Sequence, residues 1–334
     1  MKIFITGVTG YIGSHTCVEL LEKGYEVVGL DNFSNSKRSV LDSIKQITNK
    51  DIKFYEGDML DKELLRKIFS ENDIEMVIDF AAYKAVGESV SKPVEYYINN
   101  VSSVLALLSV MKEFNVKSLV FSSSATVYGT PEIIPITEDC PTGGTTNPYG
   151  TSKLFVEQIL KDVYASDKDF KICIFRYFNP VGAHQSGLIG ENPNGVPANL
   201  MPFISKVASK ELECLSVFGD DYDTPDGTGV RDYIHIVDLA KAHTCGVEKL
   251  RKETSGLFIY NLGTGTGYSV LEMIHAFEKA NNVKVNYKIA PRRDGDIAKC
   301  YASSKKAEVE LNWHAELTLE DMCKDAYNFT INNK

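Results

Sequence analysis

The 334-residue sequence predicts an α/β protein, a doubly wound parallel sheet followed by a smaller mixed α/β part. Three observations carry this expectation. Short, continuous apolar runs alternate with helical patterns through the first half of the chain. A glycine triplet joins the first such run to the first helix, and the rhythm loosens into Gly- and Pro-rich stretches after residue 180. Apolar strands alternating with helices are βαβ units, whose parallel sheet is covered on both faces.

Taken in order, "KIFITG" (2–7) is the first strand. "EVVGLD" (26–31), "IKFYEGD" (52–58), "EMVIDFAA" (75–82), "KSLVFSSS" (117–124) and "FKICIFRYFN" (170–179) follow it. Between them, "SHTCVELLEKG" and "VLALLSVMKEF" repeat apolar residues at helical spacing. Beyond residue 180, "GLIGENPNGVPAN" and "GDDYDTPDGTGV" separate shorter elements, and the last clear helical pattern, "SVLEMIHAFEKA", begins at Ser269. The expected division is therefore 1–175 and 176–334. The second part supplies a substrate site above the sheet, and one of its strands or helices is free to complete that sheet.

Composition narrows the function. Hydrophobic residues at 43% and charged residues at 24% are ordinary for a globular protein, and the net charge of −9 argues against a nucleic-acid partner. No apolar run approaches the length of a membrane span. Seven scattered cysteines form no C-x-x-C and have no close histidine partner, so neither a metal site nor a disulfide framework is expected. The six histidines show no metal spacing either. With an N-terminus running directly into a strand, the expectation is a cytosolic protein.

"TGVTGYIGSH" follows the first strand and opens a helix, with Gly7, Gly10 and Gly13 in a G-x-x-G-x-x-G pattern. Glycines are required where the backbone turns tightly and approaches a pyrophosphate, and the helix start offers free amides to its phosphates. A glycine triplet alone can also be a structural turn. Here the strand before it, the helix after it and Asp31 at the end of the next strand agree on a Rossmann-type dinucleotide site. Asp31 would bond ribose hydroxyls and repel a 2′-phosphate, which favours NAD over NADP.

"NPYGTSK" (147–153) is turn chemistry running into a helix, with Pro148 at the first helical position. Tyr149 and Lys153, four residues apart, share one helix face. Ser124 ends a strand of the same sheet, where such folds place their chemistry. Each residue is commonplace alone, but downstream of a dinucleotide fingerprint they form a candidate base with its partners. Taking a proton from a sugar hydroxyl near neutral pH needs a phenol pKa lowered by about 3 units, or about 4 kcal/mol. A cation 4 Å away supplies on the order of 4 kcal/mol at surface-like dielectric. Lys153 is expected to lie further off, leaving part of the shift to a positively charged nicotinamide.

Taken together, "TGVTGYIGSH", "LDNFSNSKRSV", "KAVGESVSKPVEYYINN", "FSSSATVYG", "NPYGTSK", "RYFNPVGAH", "GTGVRDYIHIVDLA" and "YNLGTG" resemble the extended short-chain dehydrogenase/reductase family. "KAVGES" and "RYFNPVGAH" are similar to its UDP-glucose (UDP-galactose) 4-epimerase branch in particular. The resemblance covers essentially the whole chain. Val8 and Ala82 depart from the usual pattern, both at positions where small replaces small.

The resemblance implies a tightly held NAD, oxidation of UDP-glucose or UDP-galactose at C4, rotation of the 4-keto sugar and re-reduction on its other face. Tyr149 would be the base, Ser124 would bond the 4-oxygen and Lys153 would also hold the nicotinamide ribose. By the same resemblance, Tyr11, Ile12, Asp31, Asn32, Asn35, Ser36, Asp58, Met59, Phe80, Ala81, Ala82, Lys84, Asn99 and Phe178 surround NAD, with Lys84 also near the sugar. Asn179, Asn199, Leu200, Phe218, Arg231 and Arg293 correspond to nucleotide-sugar contacts, and Asp296 to a uridine-ribose contact.

By the same resemblance, Cys300, in "RRDGDIAKCY", holds a position that borders the sugar pocket in this family. Members restricted to plain hexoses resemble one another in having Tyr there, whereas a small residue accompanies N-acetylhexosamine use. UDP-GlcNAc and UDP-GalNAc are thus expected as further substrates. Helical segments 95–114 and 149–166 would pair in a homodimer. Two alternatives stay open. A sibling dehydratase or decarboxylase is one, although Ala125 and Thr126 after Ser124 lack the acid–base pair that dehydration requires. A silent NAD-holding sensor is the other, and it would have no need of Tyr149 and Lys153.

Overall fold

The structure, a computed structural model, describes residues 1–333 except 196, 198 and 294. Its strands are β1 (Lys2–Thr6), β2 (Glu26–Asp31), β3 (Lys53–Glu56), β4 (Met76–Asp79), β5 (Ser118–Ser124) and β6 (Lys171–Tyr177). They continue with β7 (Asn179–Val181), β8 (Leu215–Phe218), β9 (Val230–His235), β10 (Gly256–Leu262), β11 (Gly267–Ser269), β12 (Tyr287–Ala290) and β13 (Lys299–Cys300). The helices are α1 (Tyr11–Glu22), α2 (Ser39–Thr48), α3 (Lys62–Glu71), α4 (Val86–Ser91), α5 (Pro93–Tyr97) and α6 (Ser103–Glu113). After them come α7 (Pro148–Ser166), α8 (Leu200–Ala208), α9 (Ile236–Lys252), α10 (Val270–Asn281), α11 (Lys305–Leu311) and α12 (Leu319–Asn332).

Two compact units divide the chain. The first comprises Met1–Thr130, Pro141–Tyr177 and Ala240–Tyr260. Its sheet runs β10-β6-β5-β4-β1-β2-β3, and the pairs from β6 to β3 are parallel. The apolar runs read in the sequence are these strands, trimmed at their ends. Ile3, Phe4 and Ile5 of β1 are fully buried because this central strand is covered on both faces. Phe4, Val28, Leu107, Phe121 and Ile174 belong to one continuous core. Each such side chain contributes about 1.5–3 kcal/mol on burial. The order reverses at β1, which creates a switch point between β1 and β4. Their ends are tied there: Thr6 lies opposite Asp79 and donates to its carboxylate at 2.6 Å.

The second unit comprises Pro131–Cys140, Phe178–Leu239 and Asn261–Lys334. In its principal sheet, β9 pairs antiparallel with β11 and parallel with β7 and β13. A parallel pair, β8 with β12, stands beside it in sequence. Its core joins Val181, Ile204, Val217, Met273 and Phe277 with Met322 and Cys323. Helix α10 starts with a reciprocal cap in which Glu272 N donates to Ser269 at 3.0 Å and Ser269 N to Glu272 at 2.7 Å. Such a cap contributes about 1 kcal/mol.

One expectation is corrected here. Ser269 does not open the last helix, since α11 and α12 follow. Helix α12 buries Met322, Cys323, Ala326 and Phe329 at helical spacing. Two of those four are small side chains, so the apolar stripe is faint in the sequence even though the geometry is regular.

Candidate active site

In the first unit, the turn after β1 is built for close approach. Gly7 has φ +65°, which suits glycine, and its amide donates to the Leu30 carbonyl at 2.8 Å. A Cβ on Gly13 would stand 2.2 Å from the Gly7 carbonyl oxygen, so no other residue fits at that crossing. Gly10 is the N-cap of α1. No side chain caps the helix there, and no acidic residue stands in its first turn, which Tyr11, Ile12 and Gly13 begin. The first amides of α1 thus keep their affinity for an anion.

Asp31 closes β2 beside this turn. Its carboxylate accepts from Thr9 N at 3.0 Å, Phe33 N at 2.9 Å and Ser36 Oγ at 3.0 Å. Asn32 donates to Asp58 at 3.0 Å, which joins the loops after β2 and β3, and Met59 is buried next in the chain. After β4, the amides of Phe80 and Ala81 donate to Thr6 Oγ1 at 3.1 and 3.2 Å. Ala82 and Lys84 follow, with the Lys84 ammonium 5.7 Å from the Tyr11 ring centre. Asn99 donates to Asn100 at 2.9 Å. A narrow glycine turn, an uncapped helix start and a carboxylate at the next strand end fit NAD.

Ser124, Tyr149 and Lys153 come together at the end of β5 and the start of α7. Asn147 caps α7 by accepting from Gly150 N at 2.8 Å, and Pro148 occupies the first helical position. Ser124 Oγ accepts from Thr126 N at 3.2 Å and from Thr126 Oγ1 at 2.9 Å. Its own hydrogen is then available to the nearby Tyr149 phenol. Burial pushes the Tyr149 phenol above its ordinary value, while the Ser124 bond pulls it down.

Lys153 is itself buried. Its ammonium donates to the Ser122 carbonyl at 2.7 Å and lies 4.9 Å from the Phe121 ring centre. Burial pushes it down to about 8, against the pull of the Asp79 carboxylate. Burial in turn pushes Asp79 up, while Thr6 and Lys153 draw it down.

The second unit holds the expected anchor residues and links Phe218, Arg231, Arg293, Asp296 and Cys300 among them. Phe178 and Asn179 open it, with Phe178 N donating to the Leu262 carbonyl at 3.2 Å. Asn199 is the N-cap of α8, which Leu200 begins, and donates to Glu191 at 2.6 Å. The Arg293 guanidinium lies 4.8 Å from the Phe218 ring centre and donates to Asp296 at 2.9 Å. Arg231, in β9, approaches the same carboxylate at 4.0 Å. Two arginine forks therefore converge on one anionic group, a geometry that suits a diphosphate. Cys300 lies opposite Arg231 in the β13–β9 pairing, and burial pushes its thiol up to about 11. It is a small, unreactive side chain.

Three participants were missed in the sequence: Asp79, Glu157 and Arg176. Glu157 lies on α7 one further turn beyond Lys153 and is fully buried. It accepts from Ser123 Oγ at 2.6 Å and from Arg176 Nε and Nη2 at 2.9 and 2.7 Å, and Arg176 Nη1 donates to Tyr128 at 2.8 Å. An arginine inside the apolar run "KICIFRYF" was the available signal, since a buried charge requires a partner. Among the described residues, no three His, Cys, Asp or Glu side chains converge as metal ligands.

Such a turn, with an uncapped helix start at the switch point of this sheet, is a dinucleotide-binding arrangement. A model of the family "GDP-mannose 4,6 dehydratase" matches residues 4–326. The UDP-glucose 4-epimerase of Haemophilus influenzae is 61% identical over 333 residues, covering 100% of this chain and 98% of that protein. Among solved structures, UDP-glucose 4-epimerase from Bifidobacterium longum, in complex with NAD+ and UDP, superposes with a TM-score of 0.97. Its identity is 58%, over 100% of this chain and 99% of that one. The UDP-Glc/GlcNAc 4-epimerase of Campylobacter jejuni superposes with a TM-score of 0.86 at 34% identity, over 99% of each chain. The chain belongs to the family described by that model and to the UDP-glucose 4-epimerase family.

Proposed function

We propose that the protein interconverts UDP-glucose and UDP-galactose, with Tyr149 as the base at the 4-hydroxyl. The observation that carries this is Tyr149 at the start of α7 beside the end of β5, one helical turn from the buried Lys153 ammonium, which donates to the Ser122 carbonyl at 2.7 Å. NAD, when bound, supplies the hydride acceptor and then the hydride donor for C4. Gly7, Gly10 and Gly13 leave room for its pyrophosphate, and Asp31 takes a ribose. Ser124 holds the 4-oxygen while the Tyr149 phenolate takes its proton and becomes a neutral phenol, and Lys153 keeps a positive charge near the phenolate before that transfer. Arg231 and Arg293 hold the diphosphate so that the hexose can turn about its link to it. Because Ala125 and Thr126 follow Ser124, the acid–base pair that dehydration needs is lacking at those positions.

Three finer assignments accompany this proposal. Cys300 leaves room for an N-acetyl group, so UDP-GlcNAc and UDP-GalNAc are further substrates, as the name of the Campylobacter jejuni relative states for that enzyme. A homodimer forms through α5, α6 and α7. Tyr97 stacks on Phe155 at 5.8 Å, while Phe155 on α7, Leu105 on α6 and Ile98 directly after α5 are each about half exposed. A cytosolic location fits seven cysteines that form no disulfide among the described residues.

Proton NMR of the anomeric region tests the proposal. Purified protein, without added NAD, is mixed separately with UDP-galactose and UDP-GalNAc. Conversion of both to gluco epimers is expected. Conversion of UDP-galactose alone removes the N-acetyl assignment, and silence toward both, even with NAD added, removes the epimerase assignment.

A further inference from the structure

Helix α7 meets the end of β5 at three consecutive turns. Tyr149, Lys153 and Glu157 are spaced by four residues: Lys153 donates to the Ser122 carbonyl, Glu157 accepts from the Ser123 hydroxyl, and the Tyr149 phenol feels the side chain of Ser124, the next residue along β5. The Glu157 contact differs from the others because it is locked from a second strand. Ser123 and Arg176 are direct partners in the β5–β6 pairing, and Glu157 accepts from both of them. Arg176 in turn donates to Tyr128, in the turn that follows Ser124. One carboxylate thus ties α7, β5, β6 and that turn together with both its oxygens in use.

Stability alone does not account for this pair. Removing two charges from water costs several kcal/mol each, and replacing a buried ion pair with apolar groups of similar size is often neutral or stabilising. A bidentate arginine–carboxylate pair does fix distance and angle, which apolar packing does less strictly. What it fixes here is the height of α7 against the end of β5. The position of Tyr149 relative to Ser124 depends on that height.

We propose that Glu157, held by Arg176, is a positioning residue that sets the Ser124–Tyr149 contact from two helical turns away. The inference rests on the proposed role of Tyr149. Misplacing a reacting group by about 1 Å costs about 100-fold in rate. Loss of the lock therefore lowers kcat, while KM for UDP-galactose, set by the second unit's arginines, changes little.

The test uses the full-length protein with Glu157→Met/Arg176→Met, which removes both charges together, and with Ser123→Ala, which cuts only the contact to β5. The double variant is expected to melt near the wild-type temperature with kcat reduced about 100-fold and KM changed less than about threefold. Its kcat–pH profile is expected to have its acid limb at higher pH, because Ser124 no longer draws the phenol down. A folded double variant with kcat within about threefold of wild type and an unmoved acid limb overturns the proposal. If that variant does not fold, Ser123→Ala decides by the same two readouts, with any reduced kcat and raised limb supporting and unchanged values overturning. If the wild type converts no UDP-hexose, the epimerase assignment falls. The positioning role is then decided by tyrosinate absorbance, taken as the difference from Tyr149→Phe. A higher midpoint in the variant supports the role, and an equal midpoint overturns it.

Discussion

Asp79 opposes the burial that would discharge Lys153. The carboxylate ends β4, is itself buried and accepts from Thr6. Its negative charge extends the pH range in which the ammonium persists, and that charge is what the proposed tyrosine base relies on. Asp79→Asn keeps a similar shape and removes the charge, so Lys153 should lose its proton at lower pH. The alkaline limb of the kcat–pH profile is expected to move to lower pH. An unmoved limb would separate Lys153 from the rate.

The same lysine carries a stability signature of definite sign. Its folded value is about 8 against an ordinary 10.5. Below about pH 8, both folded and unfolded states hold the proton, and the full burial penalty of about 3 kcal/mol applies. Between those values the unfolded state binds more protons, so stability rises with pH. Lys153→Met removes the penalty. Urea unfolding is expected to show the variant more stable than wild type near neutral pH, with the advantage shrinking through this window.

Cys300→Tyr should leave UDP-galactose turnover within about threefold of wild type and lower kcat/KM for UDP-GalNAc by at least about 100-fold. A phenol ring that fills the space for one N-acetyl group forfeits several kcal/mol of fit. NMR rates on the two substrates check this directly. Equal losses on both would mean that the thiol supports the site in general and does not border the C2 substituent.

Phe155→Glu places a charge on the apolar surface shared by α5, α6 and α7. If two copies meet there, burial of that charge opposes association, and the dissociation constant should rise at least about 100-fold. Sedimentation equilibrium of both proteins gives the answer. A wild type that is already monomeric would remove the dimer assignment.

The sequence was most legible where a physical constraint leaves few residue types. The glycine turn, Asp31 at a strand end and the Asn-Pro helix start each have one structural solution, and the structure has those forms. Glu157 was less visible, since a glutamate on a helix is ordinarily solvated and only its Arg176 partner marks it as buried. Asp79 ends an apolar strand and was read as part of it, because the lysine it faces lies more than seventy residues away in the chain. Helix α12 shows a third kind of loss. Its buried stripe includes cysteine and alanine, which periodicity arguments weigh lightly.

The return of residues 240–260 to the first unit has a consequence for biosynthesis. Strand β10 flanks β6, yet it is translated about eighty residues later. A nascent chain on the ribosome therefore carries an uncovered β6 border while the intervening segment emerges. Such a border is a template for pairing with a neighbouring chain. Translation pauses or premature stops between positions 180 and 255 should consequently yield insoluble fragments, and a shortened gene ending at 177 should not deliver the first unit as an independent NAD-binding module.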